Sequence, residues 1–183
     1  MTQIVGIAGS LRTASLNAAL LRAAAQLMPE GATLDIASIN GIALYDGDVE
    51  ASEGVPDAVA ALKERIAAAD GLLLVTPEYN NAMPGVFKNA IDWLSRPPAD
   101  IAHVFGKRPV AVIGASAGGF GTMLAQNSWL PVLRTLGTRP WFGGRLMVAR
   151  AGAVFNQDGD IVDEKIRAQL QQFLQGFVEF VQS

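Results

Sequence analysis

Residues 4–27 read IVGIAGSLRTASLNAALLRAAAQL, and this stretch decides the fold. The apolar run at residues 4–8 makes a buried strand, residues 9–17 a loop of small polar residues, and the Ala- and Leu-rich run that follows a helix. A strand that runs straight into a helix leaves backbone N–H groups uncovered at the helix start. With the positive end of the helix dipole, those donors form an anion site. Ser10, Ser15 and Asn17 add side-chain donors, and Arg12 adds a charge. Gly6 and Gly9 permit close packing and a sharp turn. The dipole alone contributes about 0.3–1 kcal/mol. Hydrogen bonds to a charged group contribute about 1.5–3 kcal/mol each, so convergent donors dominate. Taken singly, Ser10, Ser15 and Asn17 are helix caps or turn residues. Together, directly after an apolar strand, they read as a grip on phosphate.

The loop matches neither of two common nucleotide signatures. No Gly-Lys-Ser/Thr closes it, as in a Walker A loop, and serines stand where the dinucleotide fingerprint has its third glycine. A phosphate held by hydroxyls and backbone amides suits a mononucleotide such as FMN. The chain has 183 residues, half of them hydrophobic, which predicts one domain over residues 1–183 with a core that covers both faces of a sheet. The formal net charge is −3, with acids and bases spread along the chain and no basic stripe, so nucleic acid is not an expected partner. Without cysteine there are no disulfides, iron–sulfur clusters or thiolate metal sites, and the single His103 excludes a zinc site of histidines within one chain. No metal is expected. There is no signal pattern and no apolar run of ~18 residues, which predicts a cytoplasmic protein without a membrane segment.

Residues 33–39 alternate, with Leu34 and Ile36 on one face and Ile39 a candidate to join them, as in a half-buried edge strand. Residues 40–54 form a long loop with Tyr45, Asp46, Asp48, Glu50 and Glu53, either functional or a solvated acidic loop. Pro56 opens a helix striped by Val59, Leu62, Ile66 and Ala69. Residues 71–75, GLLLV, are the continuous apolar run of a central parallel strand. After a loop at 76–84, Phe87, Ala90, Ile91 and Leu94 stripe a helix that Arg96-Pro97-Pro98 ends. Residues 109–114, PVAVIG, are another buried strand, followed by a Gly-rich loop at 115–121. The helix at 122–136 contains Pro131, which predicts a kink or a break. Residues 143–149 offer a last strand and NQDGD at 156–160 a turn, and Leu170, Phe173, Leu174 and Phe177 stripe a C-terminal helix.

Repeated strand–helix units give right-handed crossovers, hence a parallel sheet with helices on both faces. With the alternating second strand at the edge and the fully apolar strands inside, the pattern predicts an α/β, three-layer, flavodoxin-like fold: a five-stranded parallel sheet in order 2-1-3-4-5. Ligands of such sheets bind beyond the carboxyl ends of the strands, near the switch between the first and third. The loops at 9–17, 76–84 and 115–121 converge there. Pro77, Glu78, Tyr79 and Asn80 are placed to line the edge of a flat heterocycle, with Tyr79 either stacking on it or packing on the next helix. The glycines of the third loop let a planar ring lie on bare backbone, or form an ordinary turn.

Three motifs now stand in order: G-S-L-R-x-x-S-x-N at 9–17, T-P-E-Y-N-x-x-x-P-G-x-x-K-N-A-x-D-W at 76–93, and G-A-S-x-G-G-F-G at 114–121. They resemble the NADPH-dependent FMN reductase family, and most closely its bacterial quinone and chromate reductases. The resemblance covers nearly the whole chain. It implies FMN bound non-covalently, with Ser10, Arg12, Ser15, Leu16 and Asn17 on the phosphate. Pro77, Glu78, Tyr79 and Asn80 would border the isoalloxazine, with Ser116 and Gly119 on its far side. It further implies NADPH or NADH as co-substrate, small-molecule electron acceptors such as quinones or chromate, and a homodimer or homotetramer. The helix at 88–93 would then pack at the dimer contact. Ala117 stands where such a motif often has proline.

Hydride transfer through a flavin needs no protein acid or base, so no catalytic residue is assigned. His103 lies between a helix and a strand, away from the ligand end, and no Gly-x-Ser-x-Gly elbow is present, which excludes a serine hydrolase. Two alternatives come from other classes. A flavodoxin-type electron carrier would bind FMN without using a nicotinamide and would show a strongly acidic face, and the acid excess here is small. A non-enzymatic nucleotide-binding module would be colourless.

Overall fold

A computed structural model describes residues 1–183. Strands β1 (Thr2–Ala8), β2 (Ala32–Ala37), β3 (Gly71–Val75), β4 (Pro109–Ala115) and β5 (Arg139–Pro140) lie in the order β2-β1-β3-β4-β5. Every neighbouring pair is parallel. This is the arrangement expected from the apolar patterning. Helices α1 (Leu16–Gln26) and α7 (Glu164–Gln182) cover one face of the sheet. Helices α3 (Asp57–Ala68), α4 (Gly85–Leu94) and α6 (Met123–Thr135) cover the other.

The unbroken hydrophobicity of β3 follows from this layering. Leu72 and Leu74 enter the core beneath α3, α4 and α6, while Leu73 and Val75 enter the core beneath α1 and α7. Burying one such side chain stabilises the fold by about 1.5–3 kcal/mol. A two-sided strand therefore has no position left for a polar residue. Arg108 joins the ends of two helices. Its guanidinium donates to the carbonyls of Ala67 and Ala69 at the end of α3, and to those of His103 and Val104 at the end of α5 (Ile101–Val104). Burial lowers its pKa, opposed by the charge of Asp70.

Four details depart from the patterning. Ile36 is 43 % exposed, so it does not join the core face expected for it. Its strand ends the sheet, with β1 as its only neighbour. Residues 40–54 are not all loop, because α2 (Gly47–Glu53) forms within them. Asp46 caps it by accepting from the Asp48 N–H at 2.8 Å, and Asp48 and Glu50 in its first turn complement the helix dipole. Helix α6 continues through Pro131, so of the expected kink or break the break does not occur.

The last strand is split. Residues 139–140 run beside the start of β4, and β6 (Met147–Val148) runs beside its end. Between them the chain leaves the sheet around the Trp141 indole. A Cβ at Gly143 or Gly144 would lie 2.6 or 2.7 Å from that ring, so both positions require glycine. The glycine pair, which reads as the start of a strand, is the place where the strand is interrupted.

The 40–54 segment is clasped onto α4. The Asn89 amide donates to the Ala43 carbonyl and its oxygen accepts from the Tyr45 N–H, while the Trp93 indole N–H also donates to Ala43. The Tyr45 hydroxyl donates to Glu50 at 2.8 Å, and Arg96 Nε donates to the same oxygen at 2.7 Å. The Arg96 hydrogen bond, with help from Tyr45, holds the Glu50 carboxyl below the usual carboxylate range. Its hydrogen bond to Glu50 pushes the Tyr45 phenol up. A lowered carboxyl pKa contributes stability that is complete above the unfolded value and disappears as pH falls through the folded value. Glu50→Gln is therefore expected to match the wild type more closely at acid pH than at neutral pH. Urea titrations of both proteins at about pH 3 and pH 7 check this.

Candidate active site

The carboxyl ends of β1, β3 and β4 are tied to one another by hydrogen bonds from the residues that follow them. Gly9 N–H donates to Val75 O at 2.9 Å, and Thr76 N–H donates to Ile113 O at 2.8 Å. Asn17 closes the third side. Its amide donates to Ala115 O and its oxygen accepts from Ala115 N–H, both at 2.8 Å. The first and third motifs are thus joined by one buried side chain. Asn17→Ala leaves both backbone groups of Ala115 without partners, which costs about 1–3 kcal/mol for each buried group. The expected result is a drop in denaturant midpoint with an unchanged m-value.

These loops surround a cleft of about 300 Å³. It sits where the chain leaves β1 for β2 on one side and β3 lies on the other, the switch point of the sheet. Ser10, Arg12, Ser15, Leu16, Asn17, Pro77, Glu78, Tyr79 and Ser116 line it, as do Ala115, Ala117 and Gly118. Asn80 and Gly119 are not among the lining residues. Asn80 and Asn81, with φ of 50° and 63°, form the tight turn that pairs Tyr79 with Ala82 through two backbone hydrogen bonds. Asparagine tolerates that left-handed conformation, which explains the Asn-Asn pair as turn chemistry.

At the α1 end of the cleft, Ser15 is the N-cap of α1 and accepts from the Ala18 N–H at 3.2 Å. Its own proton stays free to donate. The N–H groups of Leu16 and Asn17 have no acceptor in the protein. Ser10 Oγ accepts from Arg12 N–H at 3.3 Å, again leaving the hydroxyl proton available. Arg12 is exposed and takes no part in any ion pair of the chain. Orphan amides, free hydroxyls and an unpaired guanidinium at one helix start form a donor set fitted to a phosphate monoester. The Asn17 side chain spends its oxygen and one N–H on Ala115, which leaves its second amide N–H for that set.

On the opposite wall Ser116 Oγ accepts from Gly118 N–H at 3.0 Å. Residues 116–118 are strapped to the end of β6 and the segment after it: Ser116 N–H donates to Val148 O, Ala151 N–H to Ser116 O, and Arg150 N–H to Gly118 O. Tyr79 is 45 % exposed and lines the cleft. The glycine-rich turn thus offers backbone, and the second loop an aromatic, to a flat ligand. Ala115, Ala117 and Gly118 line the cleft although the sequence assigned none of them individually to the ligand; each adjoins a residue that it did assign or lies in the glycine-rich loop. The His103 imidazole lies on the surface, 3.9 Å from the Glu64 carboxylate. No helix is long and apolar enough to cross a membrane.

The profile of the NADPH-dependent FMN reductase family matches residues 2–153. An NAD(P)H-dependent FMN reductase of Pseudomonas aeruginosa is 46 % identical over 173 residues, covering 94 % of this chain and 91 % of the relative. A 2-hydroxy-1,4-benzoquinone reductase of Burkholderia sp. is 38 % identical, covering 98 % of this chain and 96 % of the relative. Among solved structures, the flavoenzyme NAD(P)H:(acceptor) oxidoreductase FerB from Paracoccus denitrificans superposes with a TM-score of 0.88 at 33 % identity, covering 100 % of this chain and 98 % of that one. With the donor set of the cleft and the order of its three loops already in place, these likenesses fix the kinship: the chain belongs to the NADPH-dependent FMN reductase family.

Proposed function

We propose that this protein is an FMN-dependent NAD(P)H oxidoreductase that passes hydride from NADPH or NADH to the flavin and on to quinones. The observation that carries this reading is the cleft at the sheet switch point, with unpaired phosphate donors at one end and an exposed aromatic at the other. The quinone reductase and FMN reductase relatives support the acceptor and the cofactor. Chromate and similar acceptors belong to the same proposal.

The chemistry supplied by bound FMN is hydride acceptance from a nicotinamide and electron delivery to a second acceptor. The chain's own residues bind and orient. Ser15, the amides of Leu16 and Asn17, Ser10 and Arg12 hold the phosphate. The backbone of Pro77, Glu78 and Tyr79 borders the ring edge, with Asn80 continuing that edge, and Ser116 and Gly119 belong to the far side. Keeping the donor carbon about 3–3.5 Å from the accepting atom is the main task of such a site. No side chain needs to move a proton. The overall exchange, NAD(P)H plus quinone plus one proton giving NAD(P)⁺ plus hydroquinone, draws its proton from water at the open cleft.

The reading includes a homodimer or homotetramer and a cytoplasmic location, where nicotinamide reductants are made. Trp93 is buried within its own chain, whereas Lys88 and Asp92 pair with each other at 2.6 Å on the exposed side of α4 and remain available to a partner surface. The test is anaerobic mixing of the FMN-loaded protein with NADPH. Bleaching of the flavin absorbance, reversed by a benzoquinone, is expected. Bleaching by dithionite but not by either nicotinamide would make the protein an electron carrier instead.

A further inference from the structure

Glu78 lines the cleft, yet one of its carboxylate oxygens is committed elsewhere. It accepts from Leu124 N–H and Ala125 N–H, both at 2.9 Å. These are two of the first donors of α6, and that helix has an unusual start. Thr122 precedes it in the left-handed conformation, φ 72°, and gives no side-chain cap. Met123 N–H finds Phe120 O at 3.1 Å and Gln126 N–H finds Thr122 O at 2.9 Å. Leu124 and Ala125 depend on Glu78, a residue 46 and 47 positions earlier in the chain. A carboxylate at a helix start is also favoured by the dipole.

The same loop is held along α6 at two further points. Met83 N–H donates to Ser128 Oγ at 3.0 Å, and the Trp129 indole N–H donates to Thr76 Oγ1 at 3.1 Å. The 76–83 loop therefore rides on one helix, whose start is also the end of the 116–122 wall. Of the three ties, only that of Glu78 starts from a residue lining the cleft, and only it carries charge.

We infer that Glu78 is a positioning residue: by capping α6 it sets the path of the Pro77–Glu78–Tyr79 backbone along the flavin ring edge and joins the two walls between which the ring lies. The inference rests on the reading of the cleft as an FMN site. Its effect belongs to the ring end of the ligand, not the phosphate end, and this separates it from the donors at residues 10–17.

Fluorescence titration of the apo-protein with FMN and with riboflavin tests it. Glu78→Ala is expected to weaken both ligands by the same factor, about tenfold or more, leaving their ratio unchanged. Glu78→Gln, whose amide oxygen can accept the same two hydrogen bonds, is expected to restore both affinities to within about threefold of wild type. Should Glu78→Ala fail to fold, Glu78→Asp serves, since its shorter side chain draws the loop toward α6; an equal loss for both ligands is again expected. Wild-type affinities in the variant that folds would overturn the inference and leave Glu78 a helix cap only. A wild-type protein that binds neither ligand would overturn the inference and the FMN reading together.

Discussion

Replacing Arg12 and Ser15 together by alanine is expected to leave a folded protein that purifies without flavin. Ser15 caps α1, Arg12 lies in the loop just before it, and both line the cleft. A hydrogen bond to a charged group contributes about 1.5–3 kcal/mol, so losing two weakens FMN by about 10²–10⁴-fold. Ser15 is also the N-cap of α1, and removing a cap costs about 0.5–2 kcal/mol of stability. Arg12 makes no contact that the fold needs. Single variants should therefore separate the two effects. Arg12→Ala should lose affinity at constant thermal stability, and Ser15→Ala should lose both. Affinity of the double variant within about threefold of wild type would show that the phosphate lies elsewhere.

Gly9→Ala should damage the fold and the site at once. A Cβ at this position would lie 2.1 Å from Cδ1 and 2.7 Å from Cγ of Phe87. Phe87 has no room to yield: it is fully buried and packs edge-on against Trp129 with ring centroids 4.9 Å apart. Overpacking of this kind costs about 1–3 kcal/mol, which for a domain of this size lowers Tm by roughly 2–12 °C. Either Phe87 or the loop must move, and the loop carries the phosphate donors, so FMN affinity should fall with stability. Phe87→Leu in the same chain should recover part of both losses. A double-mutant cycle read by thermal melting and FMN titration measures that coupling. Independent, additive effects would show that the Gly9–Phe87 contact does not hold the loop.

The sheet order was legible because a strand buried on both faces has no alternative composition: GLLLV and PVAVIG can only be interior. The first loop was legible because a strand, a polar turn and a helix in succession leave amides that need an acceptor. What stayed hidden depends on partners distant in sequence. Asn17 reads as one more phosphate donor, and nothing local shows that its amide also pairs with both backbone groups of Ala115, 98 residues away. Glu78 reads as part of the flavin edge, but its carboxylate serves a helix whose own cap position is occupied by a left-handed threonine. In the KNAIDW segment nothing local shows that Asn89 and Trp93 hold the 43–45 backbone. Local patterning shows what a residue can bond, and only the fold shows which bond it makes. The split last strand belongs with these, since the Gly143–Gly144 pair is explained by the Trp141 ring it accommodates.

The central claim is that the three loops form one site that grips a flavin by its phosphate. Parallel calorimetric titrations of the apo-protein with FMN and with riboflavin test it most directly, because the two ligands share the ring and differ only in the phosphate. The donors at residues 10–17 predict that FMN binds at least about 10²-fold more tightly than riboflavin, with the gap narrowing sharply in the Arg12→Ala, Ser15→Ala variant. Equal affinities for the two ligands in the wild type would contradict it.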